Sequence, residues 1–459
     1  MQFHRSRGVA AGMVSLGMAL GAVGCAASTE NVSSASSVDS SAPVTVVVSN
    51  QPSADQKEAL ATFKQSIADF EAAHPNITVE GSETAWDAET FQALLASGDL
   101  PTVLTVPFTE PQGLISRGQI SDITSELKQI GLLDKLNPSA LSIAQDTNGE
   151  TYGVPIDAYA LGLVYNRALF KKAGLDPDNP PTTWDGVRAA AAAITKATGT
   201  PGFATMTTSN TGGWMLGAMT YSYGGALQND EGTEATINTT ASQSALQLLH
   251  DMRFGDGSIG DTVLYDMTSI SQAFAAGKVG MFIGAPVNYQ FAVVTNGMDP
   301  DDFGMGPMPT GSSDATVLSG GAVQVISPTA TDAQKLAGAE WIEWGLSTQL
   351  DQDRAVAAAK ASAASKLPVG LPGVATLSES NYEQYLKWVA DYVNVPLDNF
   401  APYTSTVNQV TLRAEPRSKA QETYALLDSV VQSVLTKKDA DPATLLADVQ
   451  TQAQNLLSR

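Results

Sequence analysis

The stretch from Tyr152 to Trp184, YGVPIDAYALGLVYNRALFKKAGLDPDNPPTTW, permits few backbone paths. Just before it, Asn148-Gly149 suits a two-residue hairpin turn, because both positions accept positive φ. Thr151–Pro155 then reads as a strand, and the apolar run Ala158–Tyr165 as a second strand buried on both faces. Asn166 can cap a short helix over Arg167–Ala173, which Gly174 ends at a position where glycine is comfortable. Two prolines block continuation until Thr183-Trp184-Asp185 opens an alanine-rich helix reaching Ala197. A chain built around such a segment is α/β.

Length decides how many cores it needs. At 459 residues the chain exceeds the roughly 250–300 residues that one core serves, so two lobes are expected. A net charge of −22 argues against nucleic acid as a partner, since no basic stripe exists to neutralise phosphates. It also matches an anionic membrane surface poorly.

The N-terminus reads as an export signal. His4, Arg5 and Arg7 form a positive region, and Gly8–Gly24 is an apolar, small-residue segment, slightly short and glycine-rich for a spanning helix. Ala22-Val23-Gly24-Cys25 resembles a bacterial lipobox, with alanine where leucine is usual. On that reading residues 1–24 are removed and Cys25 is lipidated. Loss of Arg5 and Arg7 takes the formal charge from −22 to −24. Cys25 is the sole cysteine, so no internal disulfide is possible; the alternative is an incidental free thiol. Residues Ala26–Ala42 contain seven serines and read as a flexible tether. Such a tether spans about 20–25 Å.

Beyond it, Val44–Val48 is a continuous β-branched run suited to a central strand. Asp55–His74 is amphipathic, with Leu60, Phe63, Ile67 and Phe70 on one face. His74–Val79 gives a turn and a second strand, followed by the loop Glu83–Asp87. Gly98–Pro101 leads to a strand over Thr102–Val106. Later, Gly202–Met206 reads as a strand, and Ser242–Met252, Lys335–Leu346, Asn381–Tyr392 and Glu422–Leu457 as helical. Alternating strands and helices call for a doubly wound sheet with ligands at its carboxyl ends.

Several strings carry a resemblance: the crossover segment quoted above, "HPNITV" at His74–Val79, "SGDLPT" at Ser97–Thr102, "GKVGMFIGAP" at Gly277–Pro286, "FGMGPMP" at Phe303–Pro309, "SGG" at Ser319–Gly321 and "AGAEWIEWGLS" at Ala337–Ser347. Together they resemble extracellular solute-binding proteins of the carbohydrate-importer type, family 1 of the ABC-transporter binding proteins. The likeness runs from about residue 44 to the C-terminus. It implies a periplasmic-binding-protein-like fold in which each lobe is a doubly wound sheet flanked by helices, joined by a multi-crossing hinge. The boundaries expected are 43–157 plus 318–375 for lobe 1, and 158–317 plus 376–459 for lobe 2.

The common catalytic signatures are missing: no HExxH, no G-x-S-x-G, no paired cysteines, and no phosphate-cradling glycine loop. His250, a lone helical histidine, reads as structural. Asp256–Gly260 faintly echoes a calcium loop without its closing glutamate. No cofactor or metal is expected. What the chain supplies is aromatic faces beside polar side chains, which suit the apolar face and hydroxyl ring of a pyranose.

The resemblance, with position, nominates Tyr159 and Asp157 at the crossover, each alternatively a hinge residue. Trp86 with Asp87 lies in the loop after the second strand, and a loop anchor is the competing role for Trp86. Trp214 follows a double glycine, with Tyr221 and Tyr223 further on, one of them expected to pack inward. Asn288 stands near the place where the family often carries an aromatic. Gly320 and Gly321 offer backbone approach or a plain turn, and Tyr403 precedes the last helices. Trp184, Trp341, Trp344 and Trp388 are expected in the core.

The resemblance thus implies capture of a sugar, with an oligosaccharide favoured, by hinge closure, and its delivery to ABC importer permease subunits. A monomer anchored to the cell membrane by its lipid at Cys25, facing the extracellular side, is the expected form. Two other readings stay open: a carbohydrate-active lipoprotein enzyme, hydrolase or lyase, using a carboxylate pair, and a binder of a polyamine or peptide.

Overall fold

The computed structural model describes residues 42–458; the export signal, Cys25 and nearly all of the serine-rich tether lie outside them. Two sheets organise the chain. The larger runs β2-β1-β3-β8-β4, with β9 beside β8. Its strands are β1 (Val44–Val48), β2 (Ile77–Gly81), β3 (Val103–Pro107), β4 (Gly153–Ala160), β8 (Val317–Ile326) and β9 (Leu412–Arg413). β1 pairs parallel with β2 and β3, whereas β8 lies antiparallel between β3 and β4. The smaller sheet has the order β6-β5-β7, from β5 (Gly162–Asn166), β6 (Met281–Gly284) and β7 (Phe303–Gly306). Its pairings are antiparallel, so this lobe's sheet departs from the expected parallel winding.

The anticipated punctuation forms with small changes. Asn166 caps the short helix Arg167–Lys172 by accepting from Leu169 N–H at 2.9 Å, and Gly174 takes φ 72°. Thr183 caps the helix Trp184–Thr198, and Trp184 is buried with its indole N–H donating to Ser222 Oγ at 2.8 Å. Thr102 is buried at the head of β3, where its Oγ1 accepts from Val47 N–H at 3.1 Å and fastens β3 to β1.

Four expectations change. The two strands expected over Thr151–Pro155 and Ala158–Tyr165 divide elsewhere: β4 runs through to Ala160, and only Leu161 separates it from β5 in the other sheet. Gly202–Met206 forms no strand; the N–H groups of Phe203 and Ala204 donate to the carbonyls of Ser258 and Met281 without a ladder. Gly320 and Gly321 lie within β8, since the Tyr159–Gly320 and Ala158–Gly321 pairs continue the ladder. The Glu422–Leu457 region is two helices, Ala420–Thr436 and Pro442–Leu457, broken before Pro442, which cannot donate to a preceding turn.

The passage between sheets is held by Tyr403, whose hydroxyl donates to the Ala160 carbonyl at 3.0 Å from a side chain 1% exposed. Burial pushes that phenol well above its ordinary pKa. Tyr403→Phe is expected to cost about 1 kcal/mol, the usual net value of such a bond. Urea denaturation reads it; an unmoved midpoint would remove the hydrogen bond from the hinge's stability.

Candidate functional site

Between the two sheets lies a cavity of about 710 Å³. Its floor is β4, from Ile156 to Tyr159; one wall is Trp214, Met267 and the Ala285–Val287 turn beyond β6. The opposite wall comes from the helices Asp332–Leu350, Gln352–Ala364 and Glu379–Val389, with the loop 368–376 between the last two. The volume falls within the roughly 300–1,000 Å³ usual for small-molecule sites.

Trp214 sits in the first turn of the helix Thr211–Ser222 and is half-buried. The Asp428 carboxylate, on the helix Ala420–Thr436, holds that helix start: its oxygens accept from Asn210 N–H and Gly213 N–H, both at 2.8 Å. Gly213 permits the contact, because a Cβ there would lie 2.3 Å from the Tyr424 carbonyl oxygen. The double glycine thus lets two helices touch, and their contact aims the indole at the cavity. Its Nε1 is buried and faces the Glu415 carboxylate.

Besides Tyr382 and Tyr385, Tyr159 brings an aromatic ring to the cavity. Its ring lies across Gly320 of β8, where a Cβ would come 2.3 Å from the phenol oxygen. Burial first, then the charges of Glu415 and Asp157, push its pKa far up, so it remains a hydroxyl donor. Gly321 is equally constrained: a Cβ would stand 2.1 Å from the Asp157 carbonyl oxygen. The two glycines therefore serve β4–β8 packing under the floor. Asp157 itself is exposed at the cavity floor, and its carboxyl is held above the ordinary range by desolvation, with Ala158 N–H opposing.

Other nominated residues stand elsewhere. Tyr221 is 2% exposed and packs inward, with the Arg413 guanidinium 5.3 Å from its ring centre. Tyr223 stacks on Trp184 at 6.2 Å, its ring against Gly311, and burial pushes its phenol up to about 12. Asn288 is 1% exposed and accepts from Ala285 N–H at 2.8 Å, closing the turn after β6. Tyr403 is the buried strut described above. Trp86 packs on Phe91 at 5.0 Å, and Asp87 caps the helix Ala88–Ser97 by accepting from Thr90 N–H at 2.8 Å. None of these six lines the cavity. His250 bonds through Nε2 to the Lys438 carbonyl at 3.0 Å, and Asp256 is engaged by Arg188 at 2.6 Å.

Sequence reasoning missed Tyr382 and Tyr385, which line the cavity from the helix Glu379–Val389; it also passed over Glu415, which stands beside Trp214 but outside the cavity lining. Glu415 lies on the segment between the helices Ala401–Val407 and Ala420–Thr436, just after β9. Its carboxylate is faced by the Trp214 indole N–H and the Tyr424 hydroxyl, and Tyr159 and Tyr221 feel its charge. Burial holds the carboxyl above its usual range. The available signal was the alternation Arg413–Glu415–Arg417 ahead of the last helix pair. Across the gap, Glu110 just beyond β3 lies within electrostatic reach of Arg417.

Two sheets joined by the passage from edge strand β4 into central strand β5, with an aromatic cavity between them, define a two-lobed α/β binding architecture. The family model "Bacterial extracellular solute-binding protein" matches residues 53–351, and the chain belongs to that family. A putative binding protein of Brucella abortus is 33% identical over 238 residues, 49% of this chain and 54% of that protein. The chain thus spans about half the length of the Brucella relatives it matches. The melibiose/raffinose/stachyose-binding protein MelE of Bacillus subtilis is 30% identical over 129 residues, 28% of each chain. Among solved structures, the cyclic α-maltosyl-1,6-maltose binding protein of Arthrobacter globiformis superposes with TM-score 0.66 at 22% identity, covering 90% of this chain and 99% of that one. Maltose-bound MalE3 of T. maritima superposes at 0.62 and 19% identity, covering 90% and 99%. These structural neighbours are binding proteins.

Proposed function

We propose that this protein captures a neutral sugar, an oligosaccharide in preference to a monosaccharide, in the cavity between its lobes and presents it to an ABC importer. The observation that carries the reading is the pairing of Trp214 with Tyr159 on the wall and floor of one cavity. An aromatic face covers the C–H side of a pyranose, while Asp157 and the phenol address its hydroxyls. The names of the relatives above, a melibiose/raffinose/stachyose binder and maltose binders among them, support the sugar class. The mechanism is lobe closure without covalent chemistry, driven by the ligand's greater affinity for the closed form.

We place the third lobe crossing after Tyr392, later than residue 375, because the Glu379–Val389 helix shares a core of Ala355, Ala359 and Val369 with the Gln352–Ala364 helix. Lipid anchoring at Cys25, a monomeric state and docking to permease subunits complete the reading. They rest on the lipobox-like sequence and the family's role.

A thermal-shift screen of residues 42–459 against mono-, di- and oligosaccharides, amino acids and polyamines tests it. A ligand at a hundredfold above its Kd adds about 2.7 kcal/mol to the native state, so one glycan class is expected to raise the melting temperature with no new reducing ends after incubation. Shifts with polyamines or peptides alone would discard the sugar. Consumption of the glycan would make the protein an enzyme.

A further inference from the structure

The wall opposite Trp214 carries an aromatic pair of its own. Tyr382 and Tyr385 lie three residues apart on the helix Glu379–Val389, so their rings share one helix face. The ring centres are 6.2 Å apart, with 28° between the planes. Both side chains line the cavity and are only half-buried, so each keeps surface that a ligand can reach. The pair is fixed to the first lobe. Ser378 N–H, at the helix start, donates to the Lys135 carbonyl at 2.8 Å, and Leu377 pairs with Leu136 in a single β-bridge. Tyr382 packs on the core that holds Val46 and Val79 of the larger sheet.

Beside the rings the wall is small and uncharged. Ala355, Ala358, Ala359 and Ser362 repeat at helical spacing on the helix Gln352–Ala364, and Pro368 and Pro372 follow in the loop. Side chains this short leave room next to the tyrosines. Among the described residues, Asp157 on the floor is the only carboxylate of the lining, and no cation lines it. Gln349, Ser362 and both tyrosine hydroxyls line the same wall, and their side chains have no hydrogen-bond partner among the described residues. Burial, then the neighbouring Tyr385, pushes the Tyr382 phenol up to about 12, so it stays a neutral hydroxyl.

Aromatic faces, uncharged surroundings and open hydroxyl and amide groups suit a second pyranose ring. Its C–H face lies on tyrosine while its hydroxyls reach the phenols, Gln349 and Ser362. A single ring held by Trp214 and Tyr159 would leave this wall uncovered. We propose that Tyr382 and Tyr385 form a second sugar subsite and set the chain length the protein selects. This rests on the sugar reading above.

Calorimetry with maltotriose and raffinose, against glucose and galactose as single rings, tests the assignment. A single ring too weak to give heat is titrated as a competitor of the trisaccharide. At least one trisaccharide is expected to bind the wild type at least tenfold more tightly than either single ring. Tyr385→Ala is expected to weaken that trisaccharide at least tenfold and to leave the single rings within twofold, so the preference for length collapses. Tyr385→Phe keeps the ring and is expected to stay within threefold of the wild type. Tyr382→Leu fills its place on the core without an aromatic face, and is expected to weaken the trisaccharide at least fivefold. Unchanged trisaccharide affinity in Tyr385→Ala and Tyr382→Leu would overturn the proposal. So would an equal loss for the single rings, which marks a structural role, or a loss in Tyr385→Phe as large as in Tyr385→Ala, which removes the stacking. Single rings that bind the wild type as tightly as the trisaccharides would leave the sugar reading standing and remove the second subsite. If none of the four sugars binds the wild type, the sugar reading itself falls and this subsite with it.

Discussion

Trp214→Ala is expected to weaken sugar binding at least tenfold while the protein keeps its fold. Tenfold is about 1.4 kcal/mol. An aromatic contact contributes about 0.5–1.5 kcal/mol beyond the area it covers, and the covered apolar area itself adds to that. The loss of both exceeds the tenfold threshold. The fold survives because the helix Thr211–Ser222 is held by other faces: Met215, Leu216, Ala218 and Met219 are buried, and Asp428 secures the N-terminal N–H groups. Isothermal calorimetry with the sugar identified by thermal shift reads the effect. An unchanged Kd would take the indole out of the site, and the pairing with Tyr159 could no longer carry the sugar reading.

Local features were legible in the sequence to the extent that their physics is local. Asn166, Gly174 and Thr183 act within a few residues of themselves, and each ends or begins the helix its chemistry predicts. The β-branched run Val44–Val48 forms the strand expected of it. What failed was decided by contacts distant in sequence. Position alone could not tell that Tyr403 would be drawn inward to Ala160, 243 residues away. Nor could it tell that Asn288 would turn back on its own loop. Gly320 and Gly321 carry a turn-like signature, yet the need they answer is room for Tyr159 and the Asp157 backbone across a ladder. Glu415 was invisible for the same reason. Its segment is positioned by the pairing of β9 with β8, a register no composition reveals. The larger sheet inserts an antiparallel strand, β8, between β3 and β4, and that return of the chain after 150 residues likewise left only a short run of matched residues as its trace.

The largest stability effect is expected from a single methyl group, and a second glycine supplies the control. Gly213 and Gly345 both lie in helices, where glycine costs roughly 0.5–1 kcal/mol relative to alanine. At Gly345 nothing lies within 4 Å of the position a Cβ would take. Gly345→Ala is therefore expected to stabilise the protein by about 0.5 kcal/mol through the unfolded chain. At Gly213 the same atom would stand 2.3 Å from the Tyr424 carbonyl oxygen and 2.4 Å from its Cα. Both are backbone atoms in the middle of a packed helix, so no rotamer change relieves the overlap. The two helices must separate by about an ångström to restore contacts near 3.5 Å. That separation also stretches the 2.8 Å bond from Gly213 N–H to Asp428 Oδ1. Overpacking costs about 1–3 kcal/mol, and weakening a bond to a buried carboxylate about 1.5–3 kcal/mol. Gly213→Ala is thus expected to destabilise by about 3 kcal/mol or more, and sugar affinity falls with it, because the displaced helix start shifts Trp214 from its place in the cavity wall. Denaturant titration of the two variants side by side separates the explanations. Opposite signs mean that the double glycine exists for helix contact. Equal small gains would mean that the helices part without cost, and the rigid aim of Trp214 into the cavity would have to be abandoned.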